Sequence, residues 1–221
     1  MKIIQVERAM LARNEQDARL LRGCFRAAGV RVLNLLGAPG SGKTALLEAT
    51  LRAAGPDRRM AVVEGDVATA HDARRIAATG TKVVQIETQG ACHLTAAMLK
   101  AALQDLDLGA LDVLFVENVG NLVCPASFDL GESAKVVVVS VAEGEDKPEK
   151  YPGAFLAARA MVISKLDLAQ ACDCDLVRLR ASARKVNPKL RIFETSAKTG
   201  LGLGPWMNFV SGRRKLQPAL C

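Results

Sequence analysis

The segment Gly37-Ala-Pro-Gly-Ser-Gly-Lys-Thr44 gathers Gly37, Gly40, Ser41, Gly42, Lys43 and Thr44 into one short run. Its spacing matches the phosphate-binding pattern GxxxxGK[ST], in which glycines let backbone N–H groups turn inward around phosphate oxygens. Lys43 is placed to reach the β- and γ-phosphates of a nucleoside triphosphate, and the Thr44 hydroxyl is placed to bind Mg2+. Two carboxylates close apolar runs elsewhere. Glu117 ends Asp112-Val-Leu-Phe-Val-Glu117, the layout of a Walker B strand. There it either holds Mg2+ through a water, orients the attacking water, or has only a structural role at the strand end. Asp66 closes Ala61-Val-Val-Glu-Gly-Asp66 and is a second candidate beside Mg2+ and the γ-phosphate, a plain turn aspartate being the alternative. The segment after it, with Asp72, is a candidate switch. Lys43, Asp66 and Glu117 are the candidate catalytic groups, and Thr44, Asp66 and Glu117 the candidate Mg2+ ligands.

Base recognition has its own candidates. The apolar run Met161-Val-Ile-Ser164 leads into Lys165-Leu-Asp167. This resembles the [NT]KxD element in which an Asp carboxylate accepts two hydrogen bonds from the guanine edge. Adenine offers no matching pair of donors. Lys165 would cover the base with its aliphatic stem, and Ser164 departs from the usual Asn. Thr195-Ser196-Ala197-Lys198 resembles the SAK loop that supports the same base. Together, and in this order after a phosphate loop, the two elements favour guanine.

Cys92-His93 follows one apolar run and Cys124-Pro125 follows Glu117. Both lie beyond carboxyl ends of expected strands, where α/β sheets carry their ligands. Two thiolates and an imidazole suit Ni2+ or Zn2+ far better than Mg2+ or Ca2+. Three ligands leave the coordination sphere incomplete, so a symmetric dimer or a water must finish it. Cys92 is read as starting a helix, which predicts a lowered thiol pKa. Cys172-Asp-Cys174 has no His nearby and reads as structural, Cys24 lies in an N-terminal helix, and Cys221 is terminal.

These groups must be positioned by the elements around them. Apolar runs at Val30–Leu36, Met60–Val63, Lys82–Ile86, Val113–Val116, Lys135–Val141, Ala160–Ser164 and Leu190–Phe193 read as buried strands. Thr44–Ala54, Ala70–Thr79, His93–Leu106 and Leu176–Val186 read as helices between them. Such alternation predicts a three-layer α/β sandwich around a mostly parallel sheet. Residues 4–28 read as an amphipathic helix ended by Gly29. The division is therefore an N-terminal helical extension over 1–29 and a phosphate-loop domain over 30–221. The net charge of +7 is scattered, without a basic block interleaved with aromatics, and predicts no nucleic-acid partner. No stretch nears the ~20 apolar residues of a membrane span. The charged N-terminus lacks a signal peptide's apolar core, so a cytoplasmic protein with reduced cysteines is expected.

The order GAPGSGKT, EGDV…DARR, CHL, FVENVGNLVCPASFDLG, EGEDKPEKYPG and SKLDL resembles the hydrogenase nickel-incorporation GTPases of the HypB family, from about Asn14 to Phe209. The run Glu117–Ala126 is the most specific part, since nucleotide and metal residues share it. The resemblance implies slow GTP hydrolysis, a homodimer formed around nucleotide, and nickel passed to the large subunit of [NiFe]-hydrogenase with a second nickel accessory protein. It places the Ni2+ ligands, which can equally hold Zn2+, on Cys92, His93 and Cys124. The Cys-rich N-terminal motif and His-rich tract of many members are absent here, so no separate storage site is expected. Nickel delivery to another enzyme such as urease is the alternative, although the urease-type motif reads Cys-Pro-His rather than Cys-His. A small-molecule kinase would need an acceptor site and no thiolate cluster.

Overall fold

The computed structural model describes residues 6–55, 58–66 and 71–212. Seven strands form one sheet in the order β3-β2-β4-β1-β5-β6-β7. They are β1 Arg31–Leu36, β2 Met60–Asp66, β3 Lys82–Glu87, β4 Val113–Glu117, β5 Ala134–Ser140, β6 Ala160–Ser164 and β7 Arg191–Glu194. Every pairing between them is parallel. The helices are α1 Val6–Ala28, α2 Lys43–Ala54, α3 His71–Ala77, α4 Ala96–Ala102, α5 Cys124–Ser127, α6 Lys147–Lys150, α7 Pro152–Ala157, α8 Leu176–Val186 and α9 Leu203–Val210. The five inner strands of the parallel sheet are covered on both faces, which explains why they are runs of Val, Leu and Ile rather than alternating sequences; the edge strands β3 and β7, expected to be buried, are mostly only part-buried because each has a neighbour on one side alone.

The period-2 pleat sends neighbouring side chains to opposite layers. Leu33 and Leu35 of β1 join Phe115, Val136 and Val162 beneath α2, α3 and α9, where Leu46, Leu47, Ile76 and Trp206 complete the packing. Trp206 donates its indole N–H to Thr50 at 2.8 Å, so the buried ring has its polar partner and locks α9 to α2. On the other face Val32, Val63, Leu114 and Val116 pack against Leu94 and Leu99, and Ala18, Leu21 and Phe25 of α1 belong to the same cluster. The three-layer sandwich follows from this burial on both sides.

Two boundaries differ from expectation in ways that matter for the site. β2 runs on through Glu64 to Asp66, because the polar end of the segment stays in register with Glu117 of β4 and Glu87 of β3. The helix expected over His93–Leu106 starts later, as α4, and ends in a 3-10 turn at Leu103–Asp105. The Thr95 hydroxyl accepts from the Met98 N–H at 3.2 Å and caps the helix. Cys92 and His93 are therefore loop residues, not the first turn of a helix. Among the described residues no helix is long and apolar enough to cross a membrane.

Candidate functional site

The phosphate loop leaves the carboxyl end of β1, near the middle of the sheet, and turns directly into α2. Gly42 has φ 92°, a left-handed conformation that side chains resist. Gly37 is confined in another way: a Cβ there would meet Ser41 Oγ at 2.5 Å and the Val138 carbonyl at 2.7 Å. Lys43 donates to the carbonyls of Gly37 at 3.2 Å and Ala38 at 3.3 Å. Burial pulls its pKa down, with the Glu117 carboxylate acting against that fall. The loop, Thr44, Asp66 and Glu117 line a cleft of about 450 Å³.

Thr44 Oγ1 donates to Glu117 Oε1 at 2.8 Å, joining two of the three candidate Mg2+ ligands directly. Glu117 is 3% exposed. Burial pushes its pKa up to about 7, although Lys43 and the Thr44 hydrogen bond oppose the shift. Beside it lies Glu64, which the sequence reading passed over. Glu64 is equally buried, and burial, then the neighbouring Glu117, push it up to about 8. A carboxylate directly following the apolar run Met60–Val63, before Asp66, was the available signal. Oε2 of Glu64 and Oε2 of Glu117 are buried without a hydrogen-bond partner. Orphaned acceptors of this kind fit a hydrated divalent cation. Asp66 lies at the cleft's edge, half-buried. Asp72 is on α3 and accepts from Arg75 at 2.9 Å, while residues 67–70 of the candidate switch lie outside the described residues.

The base elements meet the loop from the other side. Ser164 donates to the Ser41 carbonyl at 2.5 Å. The small hydroxyl that replaces the usual Asn thus braces the phosphate loop, with its oxygen 3.3 Å from where a Gly42 Cβ would stand. Lys165 adopts φ 57° and donates to the Gly40 carbonyl at 2.7 Å. Asp167 accepts from the buried Ser196 at 2.6 Å, which fixes one carboxylate oxygen. Asp167, Ala197 and Lys198 line a cleft of about 140 Å³ that shares Gly42 and Lys165 with the phosphate cleft. Phosphate and base elements are thereby contiguous.

The thiol cluster lies nearby. The candidate ligand atoms of Cys92, His93 and Cys124 lie within 4.8 Å of one another. Cys92 Sγ stands 3.6 Å from His93 Nδ1. The imidazole stacks on Phe128 with centroids 3.7 Å apart. Burial holds its pKa below the ordinary value, which favours the neutral ring, whose unprotonated nitrogen can serve as a ligand. The expectation for Cys92 is corrected. Its thiol pKa is raised, chiefly by a hydrogen bond with Cys124 and by burial, because no helix starts there and a second thiol faces it. Cys124 instead opens the short α5. Cys172 and Cys174 lie elsewhere. Cys172 is exposed, Cys174 packs against the α7–α8 core, and among the described residues no metal-type group includes either. Cys24 is exposed on α1; Cys221 lies outside the described residues.

Asparagines and one lysine, none of them predicted, hold this cluster in place. Asn121 forms an antiparallel bridge with Gly37. Its side chain donates to the Cys92 carbonyl at 3.3 Å and accepts from Val123 N–H at 2.9 Å. The buried Asn118 accepts from Leu94 N–H at 3.1 Å. Asn14 of α1 accepts from Ala96 N–H at 2.8 Å and donates to the Asp129 carbonyl at 2.7 Å. Lys135 donates to the carbonyls of Pro125, Ala126 and Phe128. The sequence signal was the Asn-Val-Gly-Asn run after Glu117.

A phosphate loop after β1, a strand-end acid on β4 and a contiguous cleft at β6 and β7 define a P-loop nucleotide-binding protein. Residues 31–194 match the CobW/HypB/UreG nucleotide-binding domain. Over 213 residues the chain is 46% identical to the hydrogenase maturation factor HypB of Azotobacter chroococcum mcd 1, covering 96% of this chain and 70% of that one. The crystal structure of HypB from Archaeoglobus fulgidus superposes with a TM-score of 0.85 at 40% identity, covering 91% of this chain and 98% of that one. That of HypB from Helicobacter pylori in complex with nickel gives 0.84 at 39%, covering 89% and 93%. This chain belongs to the HypB family of hydrogenase maturation factors.

Proposed function

We propose that the protein is a GTP-hydrolysing metallochaperone that delivers nickel during maturation of [NiFe]-hydrogenase. One observation carries the reading. Seven residues after Glu117, at the nucleotide's Mg2+ position, the same loop supplies Cys124 of the thiol cluster, and Asn121 between them touches both the phosphate loop and Cys92. A site that only hydrolysed nucleotide would not need the cluster, and a storage site would not need the clefts.

In this reading the backbone N–H groups of the loop cradle the phosphates and Lys43 shifts from its carbonyl partners to the β- and γ-oxygens. Thr44 and Glu117, with Asp66 at the cleft edge, hold Mg2+, whose charge offsets that of the phosphates. Glu117 or Asp66 orients the attacking water. Asp167 accepts from the guanine N1–H and amino group, with its position set by Ser196. Cys92, His93 and Cys124 carry nickel as cargo, and the same set would take Zn2+. A second copy of the chain, joined around bound GTP, would complete the coordination sphere across a two-fold axis. The handover involves a second nickel accessory protein and the hydrogenase large subunit, in the cytoplasm.

The test is the base. Asp167→Asn places a donor opposite the guanine donors, so GTP affinity should fall by roughly 100-fold or more while xanthosine triphosphate gains relative affinity. Competition binding with GTP, XTP and ATP measures this. Equal competition by ATP and GTP against the parent protein would remove the guanine assignment.

A further inference from the structure

Glu64 has no place in the nucleotide motifs. It stands on β2 directly in register with Glu117 of β4, on adjacent strands about 4.8 Å apart. Both side chains open into the phosphate cleft. One oxygen of Glu117 is satisfied by Thr44. Oε2 of each carboxylate is buried with no hydrogen-bond partner. Of the three cations that share the cleft, Lys43 directs its ammonium at the carbonyls of Gly37 and Ala38, Lys165 at that of Gly40, and Arg75 is paired with Glu48 and Asp72. Two adjacent carboxyl groups in such a place repel one another whenever both are ionised. The pair becomes favourable once a divalent cation with its donating waters enters between the strands and the phosphate loop.

Mg2+ binds directly through only a few protein oxygens and keeps several of its waters. Thr44 and Glu117 stand nearest the loop. Glu64 lies one strand further out than Glu117 and one pleat deeper than Asp66, a place from which it would meet the hydration shell rather than the ion. We propose that Glu64 is a positioning residue for the nucleotide's divalent cation, accepting a hydrogen bond from a cation-bound water and setting, with Glu117, the cation affinity of the nucleotide complex. The proposal rests on the nucleotide reading of this cleft.

The decisive variant is Glu64→Gln, which keeps the shape and removes the acceptor charge. Binding of Mn2+ to the GDP complex, counted by electron paramagnetic resonance, gives the cation affinity. Mg2+ competition gives the value for the native ion, and fluorescent GDP in EDTA gives the metal-free nucleotide affinity. Loss of a charge-assisted hydrogen bond should weaken cation binding by roughly tenfold or more. GDP affinity in EDTA should stay at the parent value, and the melting temperature in EDTA should not fall, since one of two repelling carboxylates is gone. Glu64→Asp, which retracts the charge by one methylene, should fall between parent and Gln. It carries the test by itself if the Gln variant does not fold. Parent-like cation affinity in either variant overturns the proposal. So does a drop in melting temperature in EDTA that accounts for the whole effect. A parent protein that binds no guanine nucleotide would instead bring down the reading on which the proposal rests.

Discussion

Removal of the Asn121 side chain should loosen the metal cluster while leaving the phosphate loop intact. The backbone bridge between Asn121 and Gly37 involves no side chain, so Asn121→Ala keeps it. The variant loses the bond to the Cys92 carbonyl at 3.3 Å and that from Val123 N–H at 2.9 Å. Both bonds are accessible to water, which will replace part of each. A net loss of about 1 kcal/mol is therefore the appropriate scale, at the low end for two hydrogen bonds. That corresponds to roughly fivefold in an equilibrium constant. The loss falls on the backbone that carries Cys92 and on the residue before Cys124, and so on nickel affinity rather than on GTP.

The assay is nickel affinity, by competition with a chromophoric chelator, in GDP and in a non-hydrolysable GTP analogue. In the parent the two states should differ if, as proposed, the segment from Glu117 to Cys124 responds at one end to the γ-phosphate. By linkage, nickel must then change the affinity ratio of the two nucleotides by the same factor. In Asn121→Ala nickel should bind about fivefold more weakly, and the ratio between nucleotide states should move towards one. Equal nickel affinity in the two states of the parent would refute the coupling. Parent-like affinity and ratio in the variant would refute the role of Asn121 and leave the coupling to Asn118 or the backbone.

Two further outcomes follow from the same geometry. Lys43→Ala should reduce GTP turnover by on the order of 10²-fold or more, since it removes the buried phosphate-loop cation that would stabilise charge developing on the γ-phosphate; near-parent turnover in a phosphate-release assay would exclude the assignment. Cys124→Ala removes one of three clustered ligand atoms and should abolish the thiolate-to-nickel charge-transfer band at stoichiometric nickel, while fluorescent GDP binding stays within about twofold of the parent because the variant leaves Thr44 and Glu117 in place.

What the sequence made legible was whatever depends on contiguous residues. The phosphate loop is one run of eight, and its glycines are required by local backbone geometry and close contacts, so spacing alone identifies it. The same holds for the five inner strands, whose burial on both faces demands apolar runs. What lay hidden depends on pairing across the sheet. Glu64 acquires its meaning only from its register with Glu117, and no local pattern reports which strand lies beside which. The Cys92 thiol was misread for a related reason. A helix start was assigned to it from position, whereas Thr95 supplies the cap three residues later and Cys124 supplies the neighbour that raises the pKa.

Ser164 extends the point. Judged by the GTPase motif alone, it is a substitution of the residue that usually steadies the base loop. In the fold its hydroxyl lies against the Ser41 carbonyl, and Lys165 bonds the next carbonyl back, that of Gly40. An Asn side chain would carry two more heavy atoms into a space where the Ser164 oxygen already stands 3.3 Å from the Cβ position of Gly42. The small residue and the glycine are therefore matched to each other, and the base elements press on the phosphate loop through them. Asn121 grips the first glycine of the same loop from the metal side. The loop is thus held at Gly37 by the segment that leads to Cys124 and at Gly40 and Ser41 by the segment that leads to Asp167. Whatever the phosphates do to its backbone has a direct mechanical route to both.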